Sequence, residues 1–228
     1  MQRFLDIFFS GSALLALAPL LLPIALMLRL TGEGEILFLQ ERVGKDGKPF
    51  KLYKFATMLK NSPSIGTGTV TVKNDPRVLP LGRFLRKTKI NELPQLFNIL
   101  LGSMSIVGPR PQARKNFEAF SKNIQQLITR VKPGLSGVGP IVFRAEEDIL
   151  ADHEDNANFY NNVIAPYKGH VEAWYIENQS LYTYFAVIFV TIWVVLFPSS
   201  TLVWQVFKGL PIPPDELKKI LNYPAKSE

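Results

Sequence analysis

The chain has 228 residues, 47% of them hydrophobic, and a formal net charge of +7. This length holds one domain plus membrane-associated segments, and the lack of cysteine excludes disulfides and thiolate chemistry. The two histidines, His153 and His170, stand far apart among polar residues, so no histidine-built metal site is expected. Basic residues gather in three groups: Lys45 to Lys60, Arg77 to Lys89, and Arg110 to Lys115. Acids gather later, from Glu146 to Asp155. Such asymmetry points to an anionic partner: a lipid surface, a nucleotide or a nucleic acid.

The first element is apolar. No charged side chain occurs from Ile7 to Leu28, which is long enough to cross a bilayer. Pro19 and Pro23 interrupt it, and each removes a backbone donor. Three readings follow: a helix that enters the membrane, breaks near Ala18-Pro19 and turns back; a kinked helix that spans; or a signal peptide cut after Ala16-Leu17-Ala18. Against the last, Pro19 would directly follow the cut and Asp6 spoils the basic leader.

Ile36 to Gln40 and Phe50 to Phe55 are short apolar runs on either side of Gly44-Lys45-Asp46-Gly47, which predicts a small β-hairpin. Ser62 to Thr71 is rich in Gly, Ser and Thr and reads as a flexible loop. Leu79 to Lys89 mixes basic residues with leucines and Phe84, the pattern of an amphipathic helix on anionic lipid. Ile90, Leu93, Phe97 and Leu100 then recur at helical spacing. Asn91 stands where this second helix starts and reads as its N-cap, with Pro94 in the first turn. A helix start of this kind also suits a phosphate.

In Gly108-Pro109-Arg110-Pro111 two prolines fix the backbone around one arginine, a placement suited to bidentate phosphate recognition. A glycine-rich turn follows at Lys132 to Gly137. Neither a Walker A pattern nor a dinucleotide fingerprint occurs. Asn178 to Phe207 is uncharged and rich in aromatics, as at a membrane interface, and is broken at Pro198. It reads as lying in the interface, dipping into the bilayer or spanning it. The tail, with a short polar helix pattern from Asp215 to Leu221, reads as peripheral.

Taken together these residues resemble the bacterial sugar transferases, the monotopic phosphoglycosyl transferases, from about Gln2 to Thr191. The matching pieces are Arg3 and Asp6, Gln40-x-Arg42-x-Gly44, Lys54 to Met58, Asp75-Pro76-Arg77 and Gly82 to Thr88. They continue with Glu92-Leu93-Pro94-Gln95, Gly102 to Ser105, Val107 to Pro111, Lys132-Pro133-Gly134 and Trp174 to Asn178. The resemblance implies an α+β, mainly helical fold: a monotopic membrane protein with an N-terminal re-entrant broken helix, amphipathic interfacial helices and a small β-hairpin. It favours the turn-back reading at Ala18-Pro19. It divides the chain into a membrane helix (1–30), a catalytic domain facing the cytoplasm (31–180) and a C-terminal apolar segment and tail (181–228).

The implied activity is transfer of a sugar 1-phosphate from a UDP-sugar to undecaprenyl phosphate, with Mg²⁺ and release of UMP, at the bacterial inner (cytoplasmic) membrane. This step starts a surface glycan such as capsule or O-antigen. Family members use an Asp-Glu dyad whose aspartate attacks phosphorus; here the dyad reads Asn91-Glu92, and a neutral amide is a poor nucleophile. Ala56 also replaces a basic residue, and Ser103 and Tyr184 replace acidic ones. Glu92 is therefore expected to carry the chemistry and to be the metal ligand, with Arg110, Arg77, Arg86 and Lys54 binding phosphates. The alternative is an inactive relative that binds nucleotide sugar or lipid phosphate as a partner or regulator. Membrane lipid is an expected partner, self-association into a homo-oligomer stays open, and nucleic acid is not expected because no basic stripe with stacking aromatics occurs.

Overall fold

The computed structural model describes residues 1–31, 33–65, 75–151 and 155–224. Residues 66–71 of the expected Gly/Ser/Thr loop, and His153, lie outside the described residues. The protein is mostly helical with two small two-stranded sheets, as expected of an α+β, mainly helical chain. It divides into two compact units, residues 1–41 with 51–102, and residues 42–50 with 103–228.

The first unit begins with α1 (Gln2–Leu30). Helical conformation continues through Ala18 and both prolines, so the backbone is not interrupted where a break was expected. The reason lies in the spacing. Pro19 and Pro23 are four residues apart and both exposed, so the lost donors fall on one face, away from the core. Leu21, Ile24 and Leu28 form the buried stripe of this helix at steps of three and four, and pack with Phe55 and Leu85. The opposite face leaves Phe4, Phe8, Leu15, Leu22 and Leu26 exposed.

The hairpin forms as expected, pairing β1 (Leu37–Val43) with β2 (Pro49–Phe55). Its turn uses left-handed backbone at Asp46 (φ 58°) and Gly47 (φ 72°), which Asp and Gly tolerate. α2 (Pro80–Lys87) starts with proline at its first position, where the missing N–H costs nothing. It buries Gly82 and Leu85 and exposes Arg83, Phe84 and Lys87, the amphipathic division read from the sequence. A Cβ at Gly82 would collide with the Thr57 carbonyl, so glycine allows the close approach.

α3 (Gln95–Leu101) is held from two sides. Arg3 donates to the carbonyls of Ile99 (2.5 Å) and Leu100 (2.8 Å), acceptors at the negative end of the helix. Asn98 receives the Tyr53 N–H (2.9 Å) and donates to the Lys51 carbonyl (2.8 Å), which satisfies backbone groups of β2.

In the second unit β3 (Ser105–Val107) pairs in parallel with β4 (Gly134–Ser136), Ser105 opposite Gly134 and Val107 opposite Ser136. Between them lie α4 (Arg114–Glu118) and α5 (Lys122–Ile128). After β4 come α6 (Val138–Val142), α7 (Glu146–Ala151), α8 (Asn156–Phe159) and a π-helical turn, Tyr160–Ile164, leading into α9 (Ala165–Glu177).

α10 (Leu181–Leu196) begins at a Ser180 cap that accepts the Thr183 N–H. Its inner face is tied down by Ser136 Oγ to Thr191 Oγ1 (2.6 Å) and by Arg144 donating to the Val194 carbonyl (2.6 Å). Its outer face exposes Phe185, Phe189 and Ile192. Among the described residues only α1 is long and apolar enough to cross a membrane; α10, at 16 residues, is shorter. α11 (Leu202–Val206) and α12 (Asp215–Lys218) close the chain. The tail is not peripheral as read from its composition: Leu217 is fully buried, Tyr167 Oη donates to the Pro211 carbonyl (2.8 Å), and Trp204 meets Tyr223 edge to face.

Leu85 is sealed in the first unit's core. Leu85→Ala is expected to cost about 2–5 kcal/mol by leaving a cavity, whereas Phe84→Ala, truncating an exposed ring, should leave stability nearly unchanged. Chemical denaturation of the detergent-purified protein followed by tryptophan fluorescence measures both.

Candidate active site

The backbone between α2 and α3 determines where Asn91 and Glu92 stand. Lys89 adopts a left-handed conformation (φ 59°), and the chain then makes a 3-10 turn, Ile90–Glu92, with the Glu92 N–H donating to the Lys89 carbonyl (3.0 Å). α3 starts only at Gln95, with Pro94 as its N-cap. Asn91 is therefore not the expected helix cap. The rest of the 3-10 turn and the Leu93-Pro94 step lie between it and α3, and Pro94 has no N–H to donate to a cap.

Asn91 is buried, and its Oδ1 has no hydrogen-bond partner among the described residues. A buried acceptor left unmade costs about 1–3 kcal/mol, the kind of cost found at functional positions. Glu92 follows at the margin of solvent. Lys54, on β2, donates from Nζ to Glu92 Oε1 at 3.3 Å, and both side chains keep some exposure. The structure thus brings together three expected residues: Asn91, Glu92 and Lys54. The contact is longer than a tight charge-assisted bond of about 2.8 Å, so an incoming phosphate can compete for the lysine.

Among the described residues no three acidic, His or Cys side chains converge to build a cation cage. A cation at Glu92 would need substrate phosphates to complete its shell, the mode common for Mg²⁺.

Two expected phosphate ligands of this unit differ in availability. Arg86 is half-buried, with Nη1 near the Met58 sulfur (3.7 Å). Arg77 is buried and spent on the protein itself. It clamps Asp75 through Nε (2.9 Å) and Nη2 (2.6 Å) and holds the carbonyls of Ser62 (2.7 Å) and Ile65 (2.8 Å) with Nη1. The Asp75 hydrogen bond raises the Arg77 pKa further, securing its charge. Its geometry is that of a clamp on the loop, and it contrasts with the phosphate role read from the sequence.

Arg110 lies in the second unit, on the Gly-Pro-Arg-Pro turn that follows β3. The turn is packed backbone on backbone: a Cβ at Gly108, Gly134 or Gly137 would strike the facing main chain. The Gly108 N–H donates to the Ser136 carbonyl (2.9 Å) and the Gly134 N–H to the Pro109 carbonyl (2.8 Å). The Arg110 side chain stays exposed, while its N–H donates to Glu172 Oε1 (3.1 Å).

The chain matches the bacterial sugar transferase description over residues 1–198. It belongs to the bacterial sugar transferase family. It is 37% identical over 196 residues to a UDP-glucose:undecaprenyl-phosphate glucose-1-phosphate transferase of Klebsiella pneumoniae, covering 84% of this chain and 39% of that protein. A protein of the same description in Escherichia coli (strain K12) is 41% identical over 164 residues, 70% of this chain and 35% of that one. A UDP-N-acetylgalactosamine-undecaprenyl-phosphate N-acetylgalactosaminephosphotransferase of Aeromonas hydrophila is 35% identical over 197 residues, 86% and 43%. The chain therefore spans roughly two fifths of the length of these family members.

Sequence reasoning missed Glu172, Lys168 and Glu146, which make a buried charge cluster in this bacterial sugar transferase. Lys168 Nζ meets Glu146 Oε2 at 2.5 Å. Lys168 and Glu172 sit one turn apart on α9 and are nearly inaccessible. Burial pushes the Glu172 carboxyl up to about 7, opposed by the Arg110 N–H and by the charges of Lys168 and Arg110 and reinforced by Glu146. Burial likewise pushes Lys168 down, against the pull of Glu146. Only the family match at Trp174 to Asn178 pointed near this helix, and it does not include Glu172.

The sign of the pH effect follows from Glu172. The folded protein keeps a proton that the unfolded chain releases near 4.5. The contribution of Glu172 to stability is then greatest below that value and is lost as pH rises to about 7. Urea denaturation at pH 5 and pH 7.5 should show this loss in the native chain and a smaller one in Glu172→Gln.

Proposed function

We propose that this chain transfers a sugar 1-phosphate from a UDP-sugar to undecaprenyl phosphate at the cytoplasmic face of a bacterial inner membrane, starting a surface glycan. The observation that carries the reading is the Lys54–Glu92 pair beside the buried side chain of Asn91, on an uninterrupted match to the family. The activities named for the Klebsiella, Escherichia and Aeromonas relatives support the substrate classes. Since those relatives carry glucose in two cases and N-acetylgalactosamine in the third, the sugar is not assigned.

An amide at position 91 does not attack phosphorus, so the nucleophile is assigned to the lipid phosphate. Its oxygen bonds to the β-phosphorus of the UDP-sugar while the bond from that phosphorus to the bridging oxygen breaks, and UMP leaves with the electron pair. Lys54 turns from Glu92 to the phosphates and offsets their charge, and Arg86 adds a second cation on the same unit. Mg²⁺ held by Glu92 and the diphosphate would neutralise further charge. In the second unit the exposed Arg110 guanidinium suits a phosphate.

The membrane arrangement is part of the proposal. Arg3 at the start of α1 is tied to α3, and Leu21 to Leu28 near its end pack on Phe55 and Leu85 of the same unit. Both ends thus stay with one unit, which supports an unbroken helix lying along one face of the bilayer over one that spans it.

Asn91 also favours a second reading, in which the chain binds UDP-sugar or lipid phosphate without turnover. UMP release by the purified protein in lipid, with Mg²⁺, undecaprenyl phosphate and a panel of UDP-sugars, separates the two. The native chain should turn over, Glu92→Ala should lose at least about 100-fold, and the intact mass should show no phosphosugar adduct. Release unaffected by Glu92→Ala would sink the catalytic reading. Turnover by Asn91→Asp alone would establish the second.

A further inference from the structure

Pro109 and Pro111 have no N–H, and the Gly108 N–H is already engaged by Ser136. The Arg110 N–H is therefore the one donor offered between Gly108 and Gln112, and Glu172 takes it from 62 positions away in sequence. α9 grips the other side of the turn as well. Tyr175, one turn beyond Glu172, donates from its hydroxyl to the Val107 carbonyl (3.2 Å). Gly139 makes this reach possible, because a Cβ there would overlap the Glu172 carboxyl. Glu172 is almost wholly buried and its Oε2 has no hydrogen-bond partner among the described residues. A carboxyl carried into such a place costs several kcal/mol to ionise, and a purely structural wall would be better made of leucine.

We propose that Glu172 is a positioning residue for the sugar-phosphate transfer, acting through Arg110 by holding the main-chain N–H between the two prolines of the Gly-Pro-Arg-Pro turn. This rests on the transferase reading and on Arg110 meeting a phosphate. The guanidinium extends on a long stem, so its reach and angle are set by the backbone at its root. Two prolines restrict φ at positions 109 and 111; the Glu172 contact fixes the peptide between them. Misplacement of a charge-stabilising group by about 1 Å can cost up to 100-fold in rate. Gln at 172 keeps an acceptor oxygen at the same distance along the side chain, and Leu does not.

The test compares Glu172→Leu, Glu172→Gln, Arg110→Ala and the combination of Glu172→Leu with Arg110→Ala. Turnover is measured in lipid, and exchange of the Arg110 amide by hydrogen–deuterium mass spectrometry. Glu172→Leu should lower kcat/KM about tenfold, Glu172→Gln should recover most of that loss, and the combination should be no worse than Arg110→Ala alone. Fully multiplicative losses, or a Gln variant as poor as Leu, overturn the proposal.

If the native chain fails to turn over any UDP-sugar, the transferase reading has failed, and amide exchange alone decides the contact. Protection at Arg110 in the native chain and in Glu172→Gln, lost in Glu172→Leu, supports the contact; equal exchange in all three overturns it. Should Glu172→Leu not fold, an Arg110 amide that exchanges freely in the native chain overturns the proposal, and one protected in both the native chain and Glu172→Gln supports it.

Discussion

The outer face of α1 is apolar and uncovered, and that constraint orders much of the first unit. Phe4, Phe8, Leu15, Leu22 and Leu26 present more hydrocarbon than water tolerates on one helix. A lipid phase satisfies this surface and removes the usual reason for a helix to dock, because lipid is as apolar as leucine. Docking must then come from specific groups. Arg3 supplies two hydrogen bonds to the end of α3, and the Leu21–Leu28 stripe supplies shape against Phe55 and Leu85. The buried Asp6 and Ser10 lie on this same inward side, so polarity is kept where the protein, and not the lipid, receives it.

Charge is handled in two opposite ways. Lys54 and Glu92 stand near solvent in a loose pair that an anion can open, at little cost in stability. Lys168 and Glu172 sit in a dry interior where every unmade contact is expensive, and Glu146 reaches Lys168 from its half-buried margin. The first arrangement suits groups that change partners during a reaction. The second suits groups that must not move. Arg77 belongs with the second kind although its sequence context, Asp75-Pro76-Arg77, resembled a substrate contact: the acid two residues earlier claims its guanidinium.

What the sequence made legible was local. The hairpin, α2 and the apolar character of α1 and α10 follow from patterns a few residues long, and the structure contains them. The family match carried Asn91, Glu92 and Lys54, which the fold brings together. Three things were not legible. Asn91 was misjudged as a cap because left-handed backbone at Lys89, a non-glycine residue, leaves no mark in composition. Proline 19 and proline 23 signal a break when counted singly, yet share one exposed face when placed on a helix. Glu172 meets Arg110 through tertiary folding alone, and no spacing rule reaches across such a separation.

The setting of Asn91 also governs how that side chain ages. Asparagine loses its amide when the backbone nitrogen of the next residue swings round to attack the side-chain carbonyl, which demands a flexible main chain and access to water. Here the nitrogen of Glu92 is held to the Lys89 carbonyl within a 3-10 turn, and Asn91 itself is buried. The route to a carboxylate is closed by the same geometry that presents the dyad. The fold therefore preserves the amide, and does not slowly convert position 91 into an acid.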